Sequence, residues 1–140
     1  MITEERGAAL VEVLTLGLVL LIPLMWTLTV AADLHRGALA SSAAVREAGL
    51  EASRLTDHRQ ADAVVRDAVA RAFLDHGLRP QDAIVSWRAS SLERGSHVEV
   101  RVGYAVTVLQ APFIGRTAGP AVWIRARHVA RVDPYGSRDG

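Results

Sequence analysis

The chain has 140 residues, half of them hydrophobic, and a formal net charge of +1. So small a charge gives no argument for nucleic acid as a partner, and the absence of cysteine excludes disulfides, thiolate metal sites, a cysteine nucleophile and a lipidated N-terminal cysteine. Lysine is also absent, all 16 basic residues being arginine, which removes Schiff-base chemistry, a P-loop lysine and lysine isopeptide cross-links.

The chain opens with Glu4, Glu5 and Arg6, then Gly7-Ala8-Ala9-Leu10-Val11-Glu12, then Val13 to Ala32 without a charged residue. At 1.5 Å per residue that uncharged run predicts a helix of about 30 Å, the thickness of a bilayer's hydrocarbon core. The lipid membrane is therefore the first expected partner. Thr15, Thr27 and Thr29 can return their hydroxyls to the helix backbone, and a membrane helix tolerates Pro23 better than a soluble one does. Glu12 at the head of this run is costly without a partner. An acidic group at the centre of a membrane helix costs roughly 2.5–3.5 kcal/mol, and less near its edge. A secretory signal peptide is the competing reading, since Val30-Ala31-Ala32 and Ala38-Leu39-Ala40 offer small residues for a signal peptidase. A signal peptide has a positive n-region and a shorter apolar core, whereas here Glu4 and Glu5 oppose Arg6. Basic residues number one before the span (Arg6) and two after it (Arg36, Arg46), which taken alone favours a cytoplasmic C-terminal side.

A glycine, four small or apolar residues, a glutamate and an apolar helix form the type IV prepilin pattern. More narrowly, Arg6-Gly7-Ala8-Ala9-Leu10-Val11-Glu12 with Pro23 downstream resembles the TadE-like family, small pilin-like proteins of tight-adherence (Flp-type) pilus systems. Val13 stands where that family often has an aromatic residue. The resemblance covers about residues 5–33 and implies a leader, residues 1–7, removed by a membrane-embedded aspartyl prepilin peptidase at the cytoplasmic face. Ala8 then begins the mature chain, residues 8–32 form the transmembrane helix, and residues 33–132 form a pilin-like domain outside the cytoplasm, against the arginine count. Other pilin or pseudopilin subunits and an assembly platform are the implied partners. The chemistry agrees with such roles. Gly7 lets a protease approach the backbone, and cleavage gives Ala8 an ammonium with which Glu12 of a neighbouring subunit can pair.

Beyond the span, Leu34, Ala38, Ser41, Val45, Ala48, Ala52 and Leu55 repeat at alternating steps of four and three, one stripe of a continuing helix. Gly37 and Gly49 weaken that helix by roughly 1 kcal/mol each relative to alanine. From Ala8 to Leu55 an unbroken helix reaches about 70 Å. A second helix starts at Asp57, a capping residue with Gln60 three positions on. Its apolar face is Ala61, Val64, Val65, Ala68 and Ala72, with Phe73 beside it, and Gly77 and Pro80 stop it.

After Pro80 the period changes to two. Ala83–Arg88 reads as a first strand, Glu93-Arg94-Gly95 as a turn, and Val98–Val108 as a second strand. Gln110–Pro120 reads as a loop. Val122, Ile124, Ala126, His128, Ala130 and Val132 give a third strand, and residues 133–140 a disordered tail. The expected fold class is α+β: a long N-terminal transmembrane helix extending into a small domain with a second helix and a three-stranded antiparallel sheet, helices on one face.

No nucleophile elbow, zinc-binding helix, P-loop or dinucleotide fingerprint appears, and no two of the five histidines stand at metal-ligand spacing. His128 reads as a core histidine, His97 as exposed, and Asp62 and Asp67 as solvated. The expectation is a structural protein, not an enzyme, with no metal or cofactor. Trp123, Arg125, Arg127 and Arg131 share the third strand's other face: exposed, they mark a contact site; buried, Trp123 belongs to the core. A secreted or membrane-anchored binding module using that face is the alternative function.

Overall fold

The computed structural model describes residues 2–93, 95–108 and 120–132, with side chains from Gly7 onward. Arg94 of the expected turn, the expected loop from Gln110 to residue 119 and the expected tail from Asp133 lie outside the described residues. The elements are α1 (Ile2–Ala52), α2 (His58–Asp75), a 3-10 turn (Pro80–Asp82), β1 (Ala83–Ala89), β2 (His97–Thr107) and β3 (Ala121–Arg131). They divide into two compact units, one up to Asp33 and one from Leu34.

The first unit is helix alone. Every side chain from Gly7 to Thr29 is exposed to the surroundings of the chain, which for Leu14, Leu20 and Ile22 means over half of the side chain. The hydroxyls of Thr15, Thr27 and Thr29 donate to the carbonyls of Val11, Pro23 and Met25 at 2.7, 2.8 and 2.9 Å. Each thus satisfies its polar group within the helix, as hydrocarbon surroundings require. By length and composition this is a helix able to cross a membrane, the one such helix among the described residues.

The second unit is a sheet in the order β1-β2-β3 with helices on one face. Both pairings are antiparallel, and β2 registers Val100 against Trp87 on one side and His128 on the other. The even residues Val98, Val100, Val102 and Val106 of β2 are buried, so the period of two decides which face meets the helices. The α1 part of the core is a line of small residues: Gly37, Ala40, Ser41, Ala44, Val45, Ala48, Gly49 and Ala52 are buried. The expected stripe has the right period but is turned slightly. Ala38 is exposed, while Gly37, Ala40, Ala44 and Gly49 join the buried face. The glycines have a packing role that helix propensity alone conceals. A Cβ at Gly37 would lie 2.8 Å from Ile124 Cδ1 and 3.0 Å from the Tyr104 ring; one at Gly49 would lie 3.0 Å from the His128 ring.

Helix α2 begins as expected at Asp57, whose side chain accepts from the Arg59 amide at 2.9 Å. It ends in a Schellman motif. Gly77 adopts a left-handed φ of +69°, its N–H reaches the Leu74 carbonyl, and the Leu78 N–H reaches that of Phe73, both at 2.9 Å. The buried face is Ala61, Val65, Ala68, Val69, Ala72 and Phe73; Val64 is only half-buried, and Val69 takes the place expected for it. Arg71 ties the two helices together, pairing with Glu51 of α1 at 2.9 Å and with Asp67 of its own helix at 3.1 Å. Asp67 is exposed, as expected, and forms a surface ion pair.

Candidate functional site

Two places carry the candidate residues. At the head of α1, Gly7, Ala8 and Glu12 are all exposed. A Cβ at Gly7 would meet nothing within 4 Å, and the Gly7–Ala8 bond lies within α1. Ala8 and Glu12 are one helical turn apart on the same face.

The other place is the outer face of the sheet, away from the helices. Strand alternation puts Trp123, Arg125, Arg127 and Arg131 there, all exposed. Trp123 keeps 51% of its surface, which decides the question left by the sequence: its indole is not core. Register adds residues that sequence reasoning did not assign to this face. Arg101 lies opposite Ser86 and Arg127, Gly103 lies opposite Ile84 and Arg125, and Arg88 lies opposite Glu99. The signal was available, because the alternation of the second strand already separates Glu99, Arg101 and Gly103 from the valines.

The missing side chain of Gly103 shapes the centre of this face. An open depression of about 550 Å³ lies over it, with Ile84 and Trp123 at its sides and Arg101, Arg125 and Arg127 around it. Ile84 is 60% exposed. Around the depression the charges are unbalanced. Arg101 and Arg127 face each other directly across the strand pair, an arrangement that costs stability. Glu99 accepts from Arg101 at 2.6 Å and also pairs with Arg127. The Arg101 hydrogen bond, helped by the charges of Arg101 and Arg127, holds the Glu99 carboxyl below its ordinary range against the opposing effect of desolvation. Among the described residues no carboxylate pairs with Arg125 or Arg88.

At the β1 edge a second cluster emerges that the sequence did not announce. Trp87 is half-buried; its Nε1 donates to Asp62 Oδ1 at 2.9 Å, and its ring stacks on His58 at 5.9 Å between centroids. Arg66 donates to the other Asp62 oxygen at 2.9 Å. Asp62, expected to be solvated, is thus a bridge between α2 and β1. A half-buried indole needs an acceptor, and Asp62 supplies it. The Arg66 bond first, then the Trp87 bond, hold the Asp62 carboxyl below its ordinary range. A carboxyl lowered in the folded state contributes stability above its unfolded value and loses it as pH falls through the folded one. The Trp87 indole N–H resonance is therefore expected to show a step at or below the ordinary Asp range of about pH 4, distinct from any step contributed by the stacked His58 ring and absent in Asp62→Asn. A step in that acidic range that persists in Asp62→Asn contradicts the assignment.

His128 is half-buried beside Gly49, and His97 is exposed as expected. Among the described residues no group of histidines and carboxylates could hold a metal ion. No family model, curated protein or solved structure matches this chain.

Proposed function

We propose that this protein is a structural subunit: a minor pilin or pseudopilin of the TadE-like kind, serving a tight-adherence pilus or secretion apparatus. The observation that carries this reading is the spacing of Gly7 and Glu12 at the head of an apolar helix whose residues from Gly7 to Thr29 are exposed. A prepilin peptidase hydrolyses the Gly7–Ala8 bond, with water supplying the atoms of the new Gly7 carboxylate and Ala8 ammonium. The mature chain starts at Ala8, crosses the membrane once, and carries its sheet-bearing unit outside the cytoplasm. Glu12 then lies one turn from the new N-terminus, where the helix dipole favours a carboxylate. During assembly it pairs with the Ala8 ammonium of a neighbouring subunit and sets the axial register. This role assigns the protein no catalysis and no cofactor.

Glu12→Ala tests the pairing. The variant should be cleaved and inserted as the wild type is, yet fail to enter the assembly, read as loss of cross-linked multimers in the membrane fraction. Gly7→Leu should leave the precursor uncut. Normal assembly of Glu12→Ala would defeat the pairing, and normal processing of Gly7→Leu the cleavage site. A second reading, a membrane-anchored binding module without a pilus role, is favoured by the exposed Trp123. On that reading Glu12→Ala is silent and Trp123→Ala is not.

A further inference from the structure

Gly103 is an anomaly in its strand. It occupies the centre of the middle strand, where glycine weakens a sheet by conformational entropy and lost packing. Backbone geometry does not require it, since Gly77 and Gly95 are the glycines with positive φ among the described residues. Packing does not require it either. A Cβ there would have its nearest neighbours at ordinary contact distance, Ile84 Cβ and carbonyl O at 3.9 Å and Trp123 Cζ3 at 4.0 Å. What the glycine does provide is the depression between Ile84 and Trp123, and that depression opens among arginines.

We propose that this face is a docking site for an acidic protein segment, one that seats an aliphatic side chain in the Gly103 depression and sets carboxylates against Arg125, Arg101 and Arg127. The strands themselves carry the charge. Five arginines point outward from β1, β2 and β3 against the single carboxylate Glu99. Arg101 and Arg127 oppose each other and share that one counter-charge, so an incoming carboxylate relieves a repulsion already present. Guanidinium forks bind carboxylates in two-point fashion. The apolar surface selects protein over other polyanions. Ile84, Trp123 and Val129 are large exposed apolar side chains on one face, and tryptophan with arginine is the composition of protein interface hot spots. A single-stranded nucleic acid is held by successive stacking aromatics, and Trp123 is the one aromatic ring of the described outer face apart from His97 at its far end. This inference rests on the sheet alone and stands apart from the reading of the N-terminus.

The test uses the full chain in neutral-lipid nanodiscs and four labelled probes: a ten-residue peptide of alternating glutamate and leucine, polyglutamate of equal length, oligothymidylate and oligogalacturonate. The alternating peptide should bind saturably and at least tenfold more tightly than polyglutamate. Arg125→Glu and Trp123→Ala, both at exposed positions, should each weaken it at least tenfold. Gly103→Val should weaken it equally while its unfolding midpoint stays at or above that of the wild type, because the valine fills open space in a strand. Absence of saturable binding, undiminished binding by these variants, or a sharply lowered midpoint for Gly103→Val would overturn the proposal. Tighter binding of oligothymidylate or oligogalacturonate would overturn it too, and reassign the face to nucleic acid or acidic glycan.

Discussion

Phe73→Ala is expected to cost about 3–5 kcal/mol, the range for emptying a buried aromatic site. That is a large share of the 5–15 kcal/mol by which domains are typically stable. The reason lies in the composition of the core. Apart from Phe73, the large fully buried side chains among the described residues are valines and Ser41, with alanines filling the rest. Phe73 is the largest of them, with no exposed surface, and its ring meets Tyr104 edge-to-face at 5.4 Å and 67°. Its carbonyl also takes the closing bond of the Schellman motif, which the substitution leaves intact. The loss is therefore one of packing. Alanines and valines fixed on helix and strand backbones have few rotamers with which to fill the space. Denaturant unfolding of the full chain, followed by tryptophan fluorescence, measures it. A loss below about 1 kcal/mol would mean that the core collapses around the gap far more freely than its residue types allow.

Gly37→Leu is the second large effect, and its sign runs against helix propensity. Leucine is the better helix former by somewhat under 1 kcal/mol. Yet even a Cβ at this position would lie 2.8 Å from Ile124 Cδ1 and 3.0 and 3.2 Å from two Tyr104 ring carbons. The Ile124 methyl can turn aside. Tyr104 is held against Phe73 and has less room to move. The remaining carbons of leucine then enter filled space, and overpacking of this kind costs typically 1–3 kcal/mol. The expected result is a net destabilisation of about that size, partly recovered in the double variant Gly37→Leu/Ile124→Ala. Because Gly37 and Phe73 both act through Tyr104, their substitutions should be non-additive. A Gly37→Leu variant as stable as wild type would show that α1 does not approach the sheet as closely as the structure has it.

These two residues also show where sequence reading succeeds and where it stops. The period of two in Val98, Val100 and Val102 is a local property, so the sheet and its inner face are legible. The Asp57 cap and the Gly77 stop are legible for the same reason, since each is satisfied by backbone groups within a few positions. The α1 stripe is legible in period and nearly in phase: Ser41, Val45, Ala48 and Ala52 are buried as expected, and Ala38 is not. Read along one chain, Gly37 and Gly49 are weak points of a helix; only the approach of Ile124, Tyr104 and His128 shows why nothing larger fits. Asp62 and Trp87 are 25 positions apart, and no local rule pairs them. At the candidate sites the division is similar. The Gly7–Glu12 spacing is wholly a sequence feature. The outer sheet face was half visible: alternation groups Trp123 with Arg125 and Arg127, whereas the exposure of Trp123 and the opening over Gly103 depend on which side the helices cover.

The functional account depends most on one bond, that between Gly7 and Ala8. Intact-mass and N-terminal sequence analysis of the protein recovered from its native membrane tests it directly. A mature chain that begins at Ala8 and lacks residues 1–7 is the predicted result. A chain that still begins at Met1, or one that begins at Asp33 or Ser41 after signal-peptidase cleavage, would contradict it.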